Sequence, residues 1–240
     1  MRIVLNPKYQ HLQAYLEHID EHFEREGREL HRGRNVLRIL KVEGLTLVVK
    51  RYGTMPLTHR LATRIYKSNK AKKAYFSPFL LRERGFESPD PVAFVTYRRS
   101  WLSSTYYFVC LYSDYRYTMR DLVSLDPEFR EEVTRSFAAY TAKLHKNGFL
   151  HRDFSADNIL FDRVGDRIHF TLIDTNSMKC GRAVSIEKGC QNFARLEGSE
   201  EFFNHLGQLY AQARNADALR CIALINEART QYNTRKPEQE

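Results

Sequence analysis

The fold is decided by the stretch Gly148-Phe149-Leu150-His151-Arg152-Asp153-Phe154-Ser155-Ala156-Asp157-Asn158. It places a carboxylate, Asp153, and an amide, Asn158, on one polar loop. The apolar run Ile159–Phe161 follows directly and predicts a strand. A carboxylate on such a loop can accept a proton from a hydroxyl, and an amide oxygen can hold a magnesium ion on a phosphate. Considered alone, the central tripeptide fits a plain polar loop with Asp153 as a turn residue.

A second carboxylate follows the same strand. Residues 158–161 predict one strand, Val164-Gly165-Asp166 predicts a turn, and residues 168–173 predict the returning strand. Asp174 then stands at the end of this hairpin. We expect Asp174 to be a second magnesium ligand, with a simple turn residue as the alternative.

The spacing from His151 to Asn158 is that of the protein-kinase catalytic loop, His-Arg-Asp-x-x-x-x-Asn. Upstream, Lys50 ends an apolar strand, where a kinase keeps the lysine that binds the phosphates of ATP; an exposed lysine at a strand end is the alternative. Residues 105–112 predict a strand entering a hinge, so the backbone of Leu111 or Tyr112 is expected to bind adenine. Two parts of the pattern are missing. Residues 30–35 hold one glycine where a kinase has a glycine-rich loop, and the first half of the following helix lacks a glutamate to pair with Lys50.

These signals predict an α+β, two-lobed protein-kinase-like fold. Residues 1–112 would form a small lobe with an antiparallel sheet, and residues 113–240 a reduced helical lobe. We expect one N-terminal helix over 7–25 and a long helix beginning at Asp126-Pro127. Residues 55–84 predict a basic helical region, in which Ser68 caps a helix that runs to Arg84 and Pro78 kinks or interrupts it.

Composition limits the class of partner. The chain has 240 residues and a formal net charge of +9, which favours anionic partners such as a nucleotide, an anionic glycolipid or a membrane surface. No nucleic-acid module is recognisable, and we expect no nucleic-acid partner. No apolar run is long enough to cross a bilayer, the N-terminus lacks a secretory signal, and the four cysteines show no paired motif, so a cytoplasmic location is expected.

The catalytic loop, together with Leu172-Ile173-Asp174-Thr175-Asn176, resembles the bacterial lipopolysaccharide kinases, and among them the Kdo kinases, which phosphorylate 3-deoxy-D-manno-octulosonic acid. The resemblance implies that Asp153 is the catalytic base, that Asn158 and Asp174 hold Mg²⁺, and that Lys50 binds ATP phosphates. It further implies an acceptor such as Kdo-lipid A or a related anionic glycolipid, met at the cytoplasmic face of the inner membrane.

Two other interpretations remain open at this stage. One is an atypical bacterial protein kinase or small-molecule kinase, although the short segment after Asp174 offers little platform for a peptide. The other is a pseudokinase that serves as a binding scaffold, which the poor glycine loop and the absent helix glutamate favour.

Overall fold

The computed structural model describes residues 1–53, 60–98 and 104–235, with the backbone alone over 60–69. The chain divides into two compact units. The first comprises Met1–Glu83 and Ser88–Asp114, and the second comprises Arg84–Glu87 and Tyr115–Glu240.

The first unit is built on a six-stranded antiparallel sheet. Its order is β1-β5-β6-β4-β3-β2. The strands are β1 (Arg2–Leu5), β2 (Arg28–Arg32), β3 (Asn35–Val42), β4 (Leu45–Tyr52), β5 (Pro91–Arg98) and β6 (Ser104–Leu111). The short edge strand β1 was missed in the sequence, whereas β3 to β6 lie where their apolar runs predict them.

Each face of this sheet carries a cluster of buried side chains, and strand periodicity assigns the residues to the two faces. In β5, Ala93 and Val95 join the core on one face, while Phe94 joins the core on the other. In β6, Tyr107 and Tyr106 divide in the same way. A sheet covered on both sides gives the strands a fixed register.

The N-terminal helical segment covers one of these faces. It is not the single helix predicted over 7–25. It consists of a 3₁₀ turn (Pro7–Leu12), α1 (Gln13–Glu17) and α2 (Ile19–Arg25). The backbone leaves helical geometry at His18 (φ −110°, ψ 23°), without a proline or glycine to signal the break. The segment buries Leu12, Leu16, Ile19 and Phe23 against the sheet.

Helix α3 (Arg60–Glu83) packs against the opposite face through Ala71 and Tyr75. The predicted start at Met55 lies outside the described residues. The expectation that Ser68 caps this helix was wrong, because Ser68 lies within it. Pro78 does not interrupt α3, which continues to Glu83.

The second unit holds the remaining elements. Helices α4 (Pro127–Lys146), α5 (Ile186–Gln191), α6 (Glu200–Arg214) and α7 (Ala218–Arg235) surround the small strands. These strands are β7 (Tyr117–Thr118), β8 (Phe149–His151), β9 (Ile159–Val164), β10 (Arg167–Leu172) and β11 (Met178–Cys180). As predicted, Asp126 caps α4, its carboxylate accepting the amide hydrogen of Phe129 at 2.9 Å.

Candidate active site

The hairpin β9–β10 places two of the predicted site residues side by side. Its antiparallel register pairs Ile159 with Leu172. Beyond that pair, the amide of Ile173 donates to the carbonyl oxygen of Asn158 at 3.0 Å. Asn158 and Asp174 therefore flank the same end of the hairpin, as their positions in the sequence predict.

His151 supports the loop from below. Its side chain is buried, its Nε2 lies 3.1 Å from the carbonyl oxygen of Ile173, and its Nδ1 accepts the amide hydrogen of Asp153 at 3.2 Å. These partners fix the tautomer, with the proton on Nε2. Burial lowers the pKa of His151, which keeps the ring neutral and Nδ1 able to accept.

Asn158 ties the two ends of the loop together. Its Nδ2 donates to the carbonyl oxygen of Asp153 at 2.9 Å, and that oxygen also accepts the amide hydrogen of Ser155 at 2.9 Å. The orientation of the amide leaves Oδ1 of Asn158 as an oxygen that accepts no hydrogen bond from the described residues. The backbone of Asp153 is thus fixed while its carboxylate stays 36% exposed. A fixed, accessible carboxylate suits a general base.

Asp174 occupies the left-handed region, with φ 53° and ψ 45°. Aspartate is one of the few residues that tolerate this conformation. The turn ends the hairpin at the carboxylate, which is partly buried and accepts a hydrogen bond from Nδ2 of Asn176.

Asp174 and Asn158 fit a magnesium ion. Across the described residues there is no cluster of three or more His, Cys, Asp or Glu side chains that could hold a metal by themselves. Mg²⁺ does not require one, since it binds commonly through one or two carboxylates together with substrate phosphates and water. Two oxygen donors at one end of a hairpin match that mode of binding.

An aromatic floor holds the loop in place. Phe154 is fully buried, and its ring lies 5.8 Å from that of Phe137 in α4 and 6.3 Å from that of Phe193. Phe137 and Phe193 lie 6.2 Å apart and complete the triangle. Burial of these three phenyl rings contributes several kcal/mol to the stability of the fold. That is enough to order the loop at Phe154, between the partly exposed Asp153 and Ser155.

A chain of hydrogen bonds reaches the loop from the helices. Arg214 donates to the hydroxyl of Tyr210 (2.7 Å), whose oxygen lies 2.8 Å from Nδ1 of His145, and Nε2 of His145 lies 3.1 Å from Oδ1 of Asn192. Nδ2 of Asn192 then donates to the carbonyl oxygen of His151 at 2.9 Å. Each donor meets an acceptor when His145 is neutral with its proton on Nε2. Burial lowers the pKa of His145 to about 4 and favours that state.

Sequence reasoning missed one charged neighbour of the predicted base. Nη1 of Arg195 lies 2.8 Å from Oδ1 of Asp153. Arg195 ends a 3₁₀ turn, Asn192–Arg195, that belongs to no recognised motif. The two residues are 42 positions apart, and no periodicity in the sequence could have shown the contact.

Lys50 belongs to the first unit. It lies in β4 between Leu37 of β3 and Phe108 of β6, its side chain is buried, and its ammonium lies 5.6 Å from the ring centre of Tyr52. A lysine held inside a sheet in this way is unlike the exposed strand-end lysine that was the alternative interpretation.

The segment predicted to bind adenine leaves β6 in the same unit. The amide of Leu111 donates to the carbonyl oxygen of Asp90, and that of Tyr112 donates to the carbonyl oxygen of Thr46, both at 2.9 Å. In this conformation both backbone donors are already used. Adenine recognition by these two residues therefore stays a prediction.

The place of the glycine-rich loop is taken by a tight hairpin between β2 and β3. Gly33 donates its amide hydrogen to the carbonyl oxygen of Asn35 at 3.0 Å, and Arg32 pairs with Glu29 on its own strand. The side chain of Arg34 is exposed. Arg32 is thus occupied locally in this structure.

Residues 111–220 match the family model described as lipopolysaccharide kinase (Kdo/WaaP) family. The predicted resemblance to the lipopolysaccharide kinases is confirmed. The matched segment contains Asp153, Asn158, Asp174 and Arg195, whereas Lys50 lies outside it. No curated protein matches the chain.

The solved structures that share the fold include those of WaaP and WbdD. The structure of WaaP in complex with acyl carrier protein is similar over 97% of this chain and 100% of that chain, with a TM-score of 0.62 and 15% identity. The structure of WbdD is similar over 88% of this chain with a TM-score of 0.53 and 15% identity, and this chain spans about half its length, 48%. The predicted α+β, kinase-like fold is confirmed. The family match supports a lipopolysaccharide kinase.

Proposed function

We propose that this protein is an ATP-dependent phosphotransferase that transfers the γ-phosphoryl group of ATP to a hydroxyl of an inner-core lipopolysaccharide sugar. One observation carries the proposal. Asn158 is bonded through its side chain to the backbone of Asp153 and through its carbonyl oxygen to Ile173. A carboxylate, an amide and a second carboxylate are thereby fixed on adjoining turns of one substructure, as phosphoryl transfer requires.

Asp153 accepts the proton of the acceptor hydroxyl in this proposal. Its carboxylate is accessible, and its backbone is held by His151 and Asn158. The base therefore keeps its position while the acceptor hydroxyl reacts. Asn158 and Asp174 would hold Mg²⁺, which when bound neutralises charge on the phosphates. Phosphoryl transfer needs positioning and charge compensation more than covalent chemistry, and rigid supports supply the positioning.

Lys50 is proposed to bind the phosphates of ATP. Its position within a buried strand supports the assignment, because a kinase keeps its phosphate-binding lysine on such a strand. The chain segment at Leu111 and Tyr112 is proposed to contact adenine. With both amides engaged, that contact would use other groups of the segment or a local change in its hydrogen bonds.

Kdo-lipid A, or a related anionic glycolipid, is the proposed acceptor. The family match and the net charge of +9 support it. The short stretch between β11 and α5 supports it too, since a peptide substrate would find little surface there. We place the reaction in the cytoplasm, with the protein bound peripherally to the inner membrane. Among the described residues, no helix combines the length and apolarity needed to cross a bilayer.

The test is transfer of labelled phosphate from ATP to Kdo-lipid A with magnesium, using the wild-type chain and Asp153→Asn. We expect the substitution to lower the rate on the order of 10³-fold, because it removes the base and retains the shape. ATP affinity should change little. Asp166→Asn, which makes the same change at the exposed turn of the β9–β10 hairpin, is the matched control.

Wild-type-like transfer by Asp153→Asn would remove the assignment of the base. A wild-type chain that binds ATP yet transfers nothing to any acceptor would favour the scaffold alternative instead.

A further inference from the structure

Arg195 places a guanidinium beside the proposed base, Asp153. We propose that Arg195 binds an acidic group of the acceptor, a sugar carboxylate, and so selects an acidic sugar over a neutral one. The proposal rests on the proposed function and specifies how that site recognises its substrate.

The position of Arg195 is set by the turn that carries it. In the Asn192–Arg195 turn, Asn192 is bonded to the carbonyl oxygen of His151, and Phe193 is fully buried, with its ring 5.1 Å from that of Tyr210. The turn is therefore attached to the same floor as the catalytic loop. Arg195 begins from a fixed backbone, and its contact with Asp153 follows from the fold.

The guanidinium has donors to spare. Arginine carries five N–H donors in a planar fork. Within the described residues, the polar contact of Arg195 is the one with Asp153, and its other neighbour is the ring of Tyr232, 5.6 Å from the guanidinium carbon. The side chain is 41% exposed. Donors therefore remain for an oxyanion arriving from solvent beside Asp153.

Charge explains why a cation is needed at this point. An acceptor that carries a carboxylate must bring its hydroxyl within hydrogen-bond distance of Asp153, which is itself negative. Two carboxylates at close range repel each other unless a cation lies between them. Arg195 already contacts the base and can pair with a second carboxylate in a bidentate geometry. A neutral sugar would gain nothing from this contact.

The experiment compares equilibrium binding of two ligands by the full-length chain without ATP. One is Kdo-lipid A in detergent micelles, and the other is the same glycolipid with its Kdo carboxyl groups methyl-esterified. The wild-type chain should bind the acid form about tenfold more tightly, a typical gain for one charge-assisted pair. Arg195→Gln should lose this preference, and Arg195→Lys should keep part of it.

The control is Arg167→Gln. Arg167 is an exposed arginine at the start of β10, so the variant removes the same charge from the same unit and should keep the full preference. Since Arg195 is exposed, Arg195→Gln should fold like the wild-type chain, which circular dichroism and a melting curve will show.

A wild-type chain without preference for the acid form, or an Arg195→Gln variant that keeps it, overturns the proposal. A transfer assay on the same two acceptors is run in parallel. If Arg195→Gln slows both reactions equally while the binding preference survives, the residue serves something common to both, and the proposal is wrong. If the wild-type chain transfers no phosphate, the proposed function fails, while the binding result still decides the role of Arg195.

Discussion

Two turns that a kinase would use for catalysis have opposite constructions in this molecule. The catalytic loop, residues 148–158 of the second unit, rests on buried His151 and Phe154 and is bonded to several elements. The hairpin tip at Gly33 and Arg34, in the first unit, is exposed, and its neighbour Arg32 pairs with Glu29 on its own strand. The first turn depends on long-range contacts and the second on local ones.

The contrast shows which turn depends on its surroundings. The catalytic loop should respond to changes made well away from it, because α4, α5 and α6 contribute to its support. The hairpin tip should respond weakly even to changes within it. Three predictions test this difference, beginning with the largest effect.

Gly189→Ala should have the largest effect, although Gly189 is not part of the loop. A Cβ there would lie 2.1 Å from the hydroxyl oxygen of Tyr210 and 3.0 Å from Nδ1 of His145. It would separate this pair and leave buried polar groups without partners. We expect a loss of about 4 kcal/mol in the free energy of unfolding, measured by urea denaturation.

Gly181→Ala is the matched control. A Cβ at Gly181 meets nothing within 4 Å, so its stability should stay close to wild type. Equal stability of both variants would show that the hydrogen bonds through Tyr210 and His145 do not support the loop.

Acid should weaken the same support. Burial lowers the pKa of His145 from 6.5 to about 4, so the unfolded chain takes up a proton on this residue before the folded chain does. The contribution of neutral His145 to the free energy of unfolding is fully present above pH 6.5 and is lost as the pH falls toward 4. The difference amounts to about 3 kcal/mol. Burial also lowers the pKa of His151, so this residue adds to the pH dependence of the free energy of unfolding.

The check is the free energy of unfolding between pH 7 and pH 4 for the wild-type chain and for His145→Gln. The variant should be less stable at pH 7 and show a flatter pH dependence. His11→Gln controls for the removal of one histidine, since His11 is exposed. An unchanged slope in His145→Gln would contradict the assignment.

Arg32→Ala should have the smallest effect. It removes an exposed pair with Glu29, and exposed pairs contribute little. The melting temperature should hardly change, and the KM for ATP should change less than about threefold if Arg32 does not touch phosphate. A rise of more than tenfold in that KM would show that the pair opens and Arg32 turns to the nucleotide.

The sequence predicted what local pattern determines. The strands β3 to β6, the cap of α4 at Asp126 and the hairpin that carries Asp174 follow from alternation and turn residues. The break at His18 and the passage of α3 through Pro78 could not be predicted, because packing against the sheet overrode the local preference.

The residues of the candidate site also differ in how far the sequence could predict them. Asp153, Asn158 and Asp174 lie within 22 positions of one another and could be placed by spacing alone. Asn192 and Arg195 reach the loop from a turn some 40 positions away. Their contacts arise from the tertiary arrangement of the second unit, and no sequence motif indicates them.

The most direct test of the account is a crystal structure of the chain with a non-hydrolysable ATP analogue and Mn²⁺, which replaces magnesium and gives an anomalous signal. The account predicts an anomalous peak bonded to Oδ1 of Asn158 and a carboxylate oxygen of Asp174, with the analogue's phosphates completing the coordination. A peak held by other residues, or a nucleotide bound away from this hairpin, would contradict it.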